Sequence, residues 1–306
     1  MTLEAIFLPG GVMPADLAYG PLLGALGDDV EAIAKDLEVY AGPEPPPGYT
    51  LDDEIAGVVR TARDAGFDRF HLVGYSGGGA SSVAFAAKHP ERLLSLALLE
   101  PAWMGNDDLS SEEQVVWREF DRIATLSPEE MMPAFVAMQL ARGVTPTPPP
   151  PGPPPPWMAS RPAGLRALIG TFSSSTLDLD RLRAFEQPVY FALGGRSNPD
   201  YYGQMAERAG AIFPNFTLDV FDEPPLRPTA PDRARAHRTG AAGSLGTGRR
   251  LTAGLTAPAI RAPTGPQPGC GTTSASETSR VSAGAFCRLD SARQGSARSE
   301  IPAPNR

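Results

Sequence analysis

The sequence predicts an α/β protein: a mostly parallel sheet with helices on both faces. Three observations carry this. Short apolar runs alternate with helical stretches from about residue 3 to residue 222. The run Leu93 to Leu99 is almost wholly apolar, as a strand buried on both faces must be. Strand, helix and strand then repeat, and that order builds parallel sheets. At 306 residues, the chain has room for one large domain of this kind with an insertion.

The elements follow in order. Ala5 to Leu8 reads as the first strand and ends in Pro9-Gly10-Gly11. A helix is expected around Leu17 to Leu26 and a second strand at Val30 to Ala34. Thr50 caps a helix running to about Ala65, with Leu51, Ile55, Val58, Val59 and Ala62 on one face. The strand Phe70 to Tyr75 comes next, then a glycine-rich turn, a helix from Ala80 to Lys88, and the strand Leu93 to Leu99. From about Ala102 the pattern changes to helices at Ser111 to Ala124 and Pro128 to Ala141. A proline run, Pro146 to Pro156, and a short helix near Ala163 to Phe172 complete this stretch. Such a run forms stiff polyproline II; it reads as a rigid strut, the alternative being a ligand for a proline-binding domain. The sheet resumes with Pro188 to Leu193, a helix from Tyr201 to Ile212 and a last strand at Phe216 to Phe221.

After Glu223 the periodicity collapses. The remaining residues hold a single aromatic, Phe286, and are rich in Pro, Gly, Ser, Thr, Ala and Arg. A segment of this composition buries too little apolar surface to offset its ordering entropy, so residues 223–306 are expected to be disordered. Net charge is −8, which gives no reason to expect nucleic acid. The distribution is uneven: the final segment carries 12 Arg, no Lys and 5 acidic residues. Both cysteines, Cys270 and Cys287, lie there, so neither disulfides nor a cysteine metal site hold the body together. No apolar run is long enough to span a bilayer and no basic-then-apolar leader opens the chain; a cytoplasmic protein is expected.

Gly74-Tyr75-Ser76-Gly77-Gly78 is the most informative motif. A G-x-S-x-G turn between a strand and a helix lifts its serine above the sheet on a sharply bent backbone. A serine so placed is a candidate nucleophile, and needs a neighbouring base to take its proton.

Residues 3–222 resemble the α/β-hydrolase superfamily. The matching landmarks are Leu8-Pro9-Gly10-Gly11, the turn at Ser76, the strand ending in Glu100-Pro101, and Leu193-Gly194-Gly195-Arg196-Ser197. The resemblance implies an α/β-hydrolase core at 1–101 and 187–222, with a helical cap containing the proline strut at 102–186. It implies Ser76 as nucleophile and an oxyanion hole from the backbone N–H groups of Gly11 and Gly77. Glu100 is the preferred acid, with Asp200 as the alternative. The implied activity is cleavage of a carboxylic ester or related acyl bond in a small molecule, without metal or cofactor. A non-catalytic binding protein, an interaction protein built on the proline run, and a C–C hydrolase or acyltransferase are the alternatives. Trp117, Phe120, Met131, Met132, Phe135, Met138 and Trp157 are expected to supply an apolar pocket. The oligomeric state is not legible.

The resemblance also requires a histidine after the last strand, and none is there. His71 lies in the strand before Ser76, His89 just past the following helix, and His237 in the final segment. This chain is therefore expected to be impaired. A change of reading frame near Glu223 accounts for the missing base, the lost periodicity and the arginine excess together. Permitted codons for residues 223–229, read one nucleotide later, allow Ser-His-His-Phe-Asp-Pro-Pro.

Overall fold

The computed structural model describes residues 2–146, 148 and 151–221. Six strands form one sheet: β1 (Leu3–Leu8), β2 (Val30–Ala34), β3 (Phe70–Tyr75), β4 (Leu93–Leu99), β5 (Val189–Gly194) and β6 (Phe216–Phe221). Their order is β2-β1-β3-β4-β5-β6, and every adjacent pair is parallel. The bounds read from the sequence hold to within two residues for each strand.

Alternation along the strands sorts the core into two layers. On β1, Ile6 and Leu8 face one side and Ala5 and Phe7 the other. The first side is covered by α2 (Leu51–Ala65), α3 (Gly77–Lys88) and α8 (Gln204–Ile212), through residues such as Val58, Val83 and Ala209. The second carries α1 (Ala15–Leu23), through Ala18, Tyr19 and Leu22. Central strands are accordingly buried throughout, as β4 is apart from Leu94.

Local chemistry sets the helix ends. Thr50 and Asp53 close a reciprocal capping box on α2, and Gly66 ends it in the left-handed conformation at φ 77°. The amide of Ala15 donates to Asp36 Oδ1 at 2.7 Å, fixing the start of α1 two residues before the expected Leu17.

Between β4 and β5 lie α4 (Ser111–Ala124), α5 (Pro128–Met138), α6 (Arg161–Ser174) and α7 (Leu179–Arg183). Ser110 with Glu113, and Ser127 with Glu130, form capping boxes that start α4 and α5 where the sequence puts them. The helix α5 ends at Met138, not Ala141, because Leu140 pairs with Ser197 in an antiparallel bridge that pulls the chain aside. The five-residue α7, capped by Asp178, is too short for its periodicity to stand out in the sequence. A π-turn at Pro199–Gly203 replaces the first residues of the expected final helix, and α8 starts at Gln204. The insertion is tied to the sheet layer by a bidentate ion pair: Arg208 Nη2 donates to Glu113 Oε1 at 2.9 Å and Oε2 at 3.0 Å. Residues 146, 148 and 151–156 of the proline run are exposed. No helix among the described residues is long and apolar enough to cross a membrane. The expectation of disorder at 223–306 lies outside the described residues.

Candidate active site

The site begins with a bend. Ser76 follows β3 directly and has φ 49° and ψ −114°, a conformation that L residues rarely adopt. Three hydrogen bonds hold it there. Its amide donates to Leu99 O at 3.0 Å, and its carbonyl accepts from Ala80 N at 3.0 Å and Ala102 N at 2.9 Å. The bend needs glycine where strand and helix nearly touch. A Cβ on Gly78 would lie 2.5 Å from the carbonyl oxygens of both Leu8 and Pro9, and one on Gly74 would lie 2.5 Å from Gly78 O. The Gly78 amide donates to Pro9 O at 3.0 Å, pinning the loop after β1 against the start of α3.

That contact brings two candidate oxyanion donors together. A Cβ on Gly77 would be 3.5 Å from Gly11 N. Gly77 is the first residue of α3, where helix amides lack intrahelical partners. Gly11 is held from behind: Tyr40 Oη–H donates to its carbonyl. Tyr40 belongs to a short 3-10 turn, Glu38–Tyr40, which Glu54 of α2 anchors. The two carboxylate oxygens of Glu54 accept from the amides of Glu38 and Val39, each at 3.0 Å. Tyr49 Oη–H also donates to it, at 2.8 Å. Burial raises the Glu54 carboxyl above the usual carboxylate range, outweighing these bonds and the Lys35 charge, which pull the other way. Arg161, at the start of α6, stacks on Tyr40 with its guanidinium carbon 3.8 Å from the ring centroid, and its Nε and Nη1 are buried without a hydrogen-bond partner.

Ser76 and these two glycines form the floor of a partly open pocket with a cavity volume of about 30 Å³. One wall is aliphatic, from Leu165, Leu168 and Ile169 of α6. The other is aromatic, led by Trp117, Phe120, Phe135, Tyr201 and Tyr202. Among the described residues, no charged side chain lines it.

Glu100 sits at the end of β4, one strand over from Ser76, in the left-handed region at φ 47°. It is 1% exposed, and its Oε1 accepts from Gly194 N at 2.8 Å and from the hydroxyl of Ser197. The carboxylate is thus anchored over the end of β5. Asp200 is exposed in the π-turn and does not line the pocket. The histidines of the described residues lie elsewhere. His71 Nδ1 pairs with Ser95 Oγ at 2.6 Å inside the sheet, and His89 packs on Phe85 at 5.2 Å. His237 lies outside the described residues. No cluster of three or more potential metal ligands occurs among the described residues.

The apolar residues expected for the pocket divide. Trp117, Phe120 and Phe135 line it, whereas Met131 is fully buried in the core and Trp157 packs near Arg161 at 5.4 Å. Met132 and Met138 pack against the core. Tyr201, Tyr202, Phe172 and Gln139 are pocket residues that sequence reasoning missed. The adjacent tyrosines just after Asn198-Pro199 were the one available signal.

Comparison with known proteins agrees with this architecture. Residues 39–147 match the family described as alpha/beta hydrolase fold. A fluoroacetate dehalogenase from Burkholderia sp. is 33% identical over 81 residues, covering 24% of this chain and 27% of that protein. The dihydrolipoyllysine-residue acetyltransferase component of the acetoin cleaving system of Cupriavidus necator is 33% identical over 85 residues, or 28% and 23%. The chain thus spans about a quarter of the length of these curated relatives. Among solved structures, a bacterial membrane phospholipase A superposes with a TM-score of 0.54 at 20% identity, over 72% of this chain and 71% of that one. A probable hydrolytic enzyme from Pseudomonas aeruginosa PAO1 gives 0.54 at 16%, over 76% and 82%. A thermophilic esterase from Thermogutta terrifontis gives 0.52 at 19%, over 72% and 81%. With its parallel six-stranded sheet, a serine on the bend after β3 and helices between β4 and β5, the chain has the α/β-hydrolase fold, and its residues 39–147 are similar to that family.

Proposed function

We propose that this chain has the machinery of a serine hydrolase that cleaves a carboxylic ester or related acyl bond through an acyl-enzyme. The observation that carries the reading is the strained Ser76 on the floor of an apolar pocket, beside the amides of Gly11 and Gly77. Backbone donors fixed in advance suit an oxyanion that develops only in the transition state. Ser76 Oγ would attack the acyl carbon and lose its proton to a base. The carbonyl oxygen, now an anion, would take hydrogen bonds from Gly11 and Gly77, and the alcohol would leave with the proton. Water would then release the acid by the same route. Glu100, buried and hydrogen-bonded, is the group suited to orient a base beside Ser76. Asp200, exposed, is the weaker candidate. The helical insertion acts as the cap that closes over the acyl group.

No histidine among the described residues lines the pocket, so turnover by this chain is expected to be slow. The low-activity reading and the binding-only reading separate in one experiment. A fluorophosphonate probe should label the protein at Ser76 slowly but stoichiometrically, and not at all in Ser76→Ala. Absence of labelling after prolonged exposure, in a protein shown to be folded, would leave only the binding role. Labelling at another serine would overturn the assignment.

A further inference from the structure

We propose that the pocket selects a neutral, aromatic acyl group and rejects acyl groups that end in a carboxylate; this rests on the acyl-transfer reading of the same site. The argument starts from which polar atoms the walls still offer. Tyr201 Oη–H already donates to Ala102 O. Tyr202 Oη–H donates to Gln139 Oε1 at 3.1 Å, and Gln139 Nε2 donates to Phe135 O at 3.0 Å. The hydroxyls of Tyr201 and Tyr202 and the side-chain amide of Gln139 are thus engaged within the wall itself. Among the described residues, no Lys, Arg or His lines the pocket. A carboxylate carried into this apolar lining would lose water and meet no cation among the described residues, a penalty a neutral group does not carry.

The shape of the walls distinguishes aromatic from merely apolar. Phe120 stands at the centre of a ring cluster: its centroid is 5.8 Å from Trp117, 6.1 Å from Phe135 and 5.0 Å from Tyr201, at interplanar angles of 50°, 55° and 60°. Tilted rings present both edges and faces, which suits the edge-to-face contact an incoming ring prefers. Across the pocket, Leu168 is packed by the floor glycines.

The test reads binding, so it does not depend on turnover. Calorimetric titration of the full chain would compare a phenyl alkyl ketone, the cyclohexyl analogue and a keto acid of equal length. The ketone stands in for the ester carbonyl and cannot be cleaved. The phenyl ketone should bind about two- to tenfold tighter than the cyclohexyl one and more than about a hundredfold tighter than the keto acid. Phe120→Leu should bring phenyl and cyclohexyl ligands to parity; Phe135→Leu, at a less buried position, gives the same readout should the first variant fold poorly. Ser76→Ala should leave the order unchanged. Equal or tighter binding of the keto acid, equal binding of the two neutral ketones, or no binding of any ketone would overturn the proposal. Failure of the serine chemistry would instead appear as lost fluorophosphonate labelling with this order intact.

Discussion

At Ser76, stability and chemistry pull in opposite directions. The residue holds φ 49° with a Cβ attached, and backbone in such sparsely populated regions costs about 1–3 kcal/mol. The surrounding hydrogen bonds from Ser76 N and to Ser76 O impose the conformation, since they join it to β4, α3 and Ala102 beyond β4 and do not involve the hydroxyl. A side chain is therefore kept where glycine would be more comfortable. Ser76→Gly should raise the unfolding free energy by about 1 kcal/mol, while abolishing labelling by the fluorophosphonate. Chemical denaturation of the two proteins checks it. A destabilised glycine variant would show that the hydroxyl contributes to the fold and that the strain argument is wrong. Glu100 shares the feature, at φ 47°, so both strands bend sharply at their ends just where the candidate nucleophile and acid lie.

Among the elements, the support of the floor runs from α2 to the loop after β1 through a single buried carboxylate. Glu54 fixes the 3-10 turn, Tyr40 leaves that turn, and its hydroxyl holds Gly11. Burial raises the Glu54 pKa in the folded protein. The native state then binds a proton that the unfolded chain has released, so stability falls as pH rises from the ordinary carboxylate value through the folded one. Glu54→Gln removes this slope, but it also places an amide donor against backbone donors, so the variant should be less stable throughout. Urea midpoints measured from pH 4 to pH 8 should decline more steeply in the wild type than in Glu54→Gln. A wild-type slope that is flatter, or rises relative to the variant, would contradict the burial effect. This support was not legible in the sequence: α2 was, down to Thr50 and its apolar face, but Glu54's partners, Glu38 and Val39, come from a distant segment. The strands and capped helices could be read because their signals are local. The turn at Ser76 could be read for the same reason, since its glycines must follow one another. Pocket residues such as Tyr201 and Gln139 depend on how distant segments meet, and Met131 shows the converse, an apolar residue in a correctly read helix that turned to the core.

For the molecule as a whole, the geometry around β6 decides whether a base can be supplied. The carbonyl of Phe221, the last residue of β6, accepts from Gly195 N at 2.5 Å. The neighbouring Gly194 amide donates to Glu100. The end of β6 thus lies beside the turn that anchors the candidate acid, three strands from β3 and Ser76. Residues 223–228 supply no histidine, whereas the alternative frame from codon 223 allows two in succession. Beside this exit, Leu218 and Val220 of the edge strand are 41% and 57% exposed, an apolar surface of the kind a following helix covers. Recoding the gene in the alternative frame from codon 223 should therefore change two properties together. Hydrolysis of a short aryl ester should rise by a factor of about 10³ or more, from the residual level left by the floor amides alone. The recoded protein should also stay monodisperse at concentrations where the present chain associates, as light scattering would report. If activity is unchanged after recoding while the protein remains folded, the missing base does not limit this chain and the binding role gains the stronger support. If the natural gene, sequenced across codon 223, encodes no paired histidines in any frame, the altered-frame account of the C-terminus is wrong, and the base has to come from elsewhere.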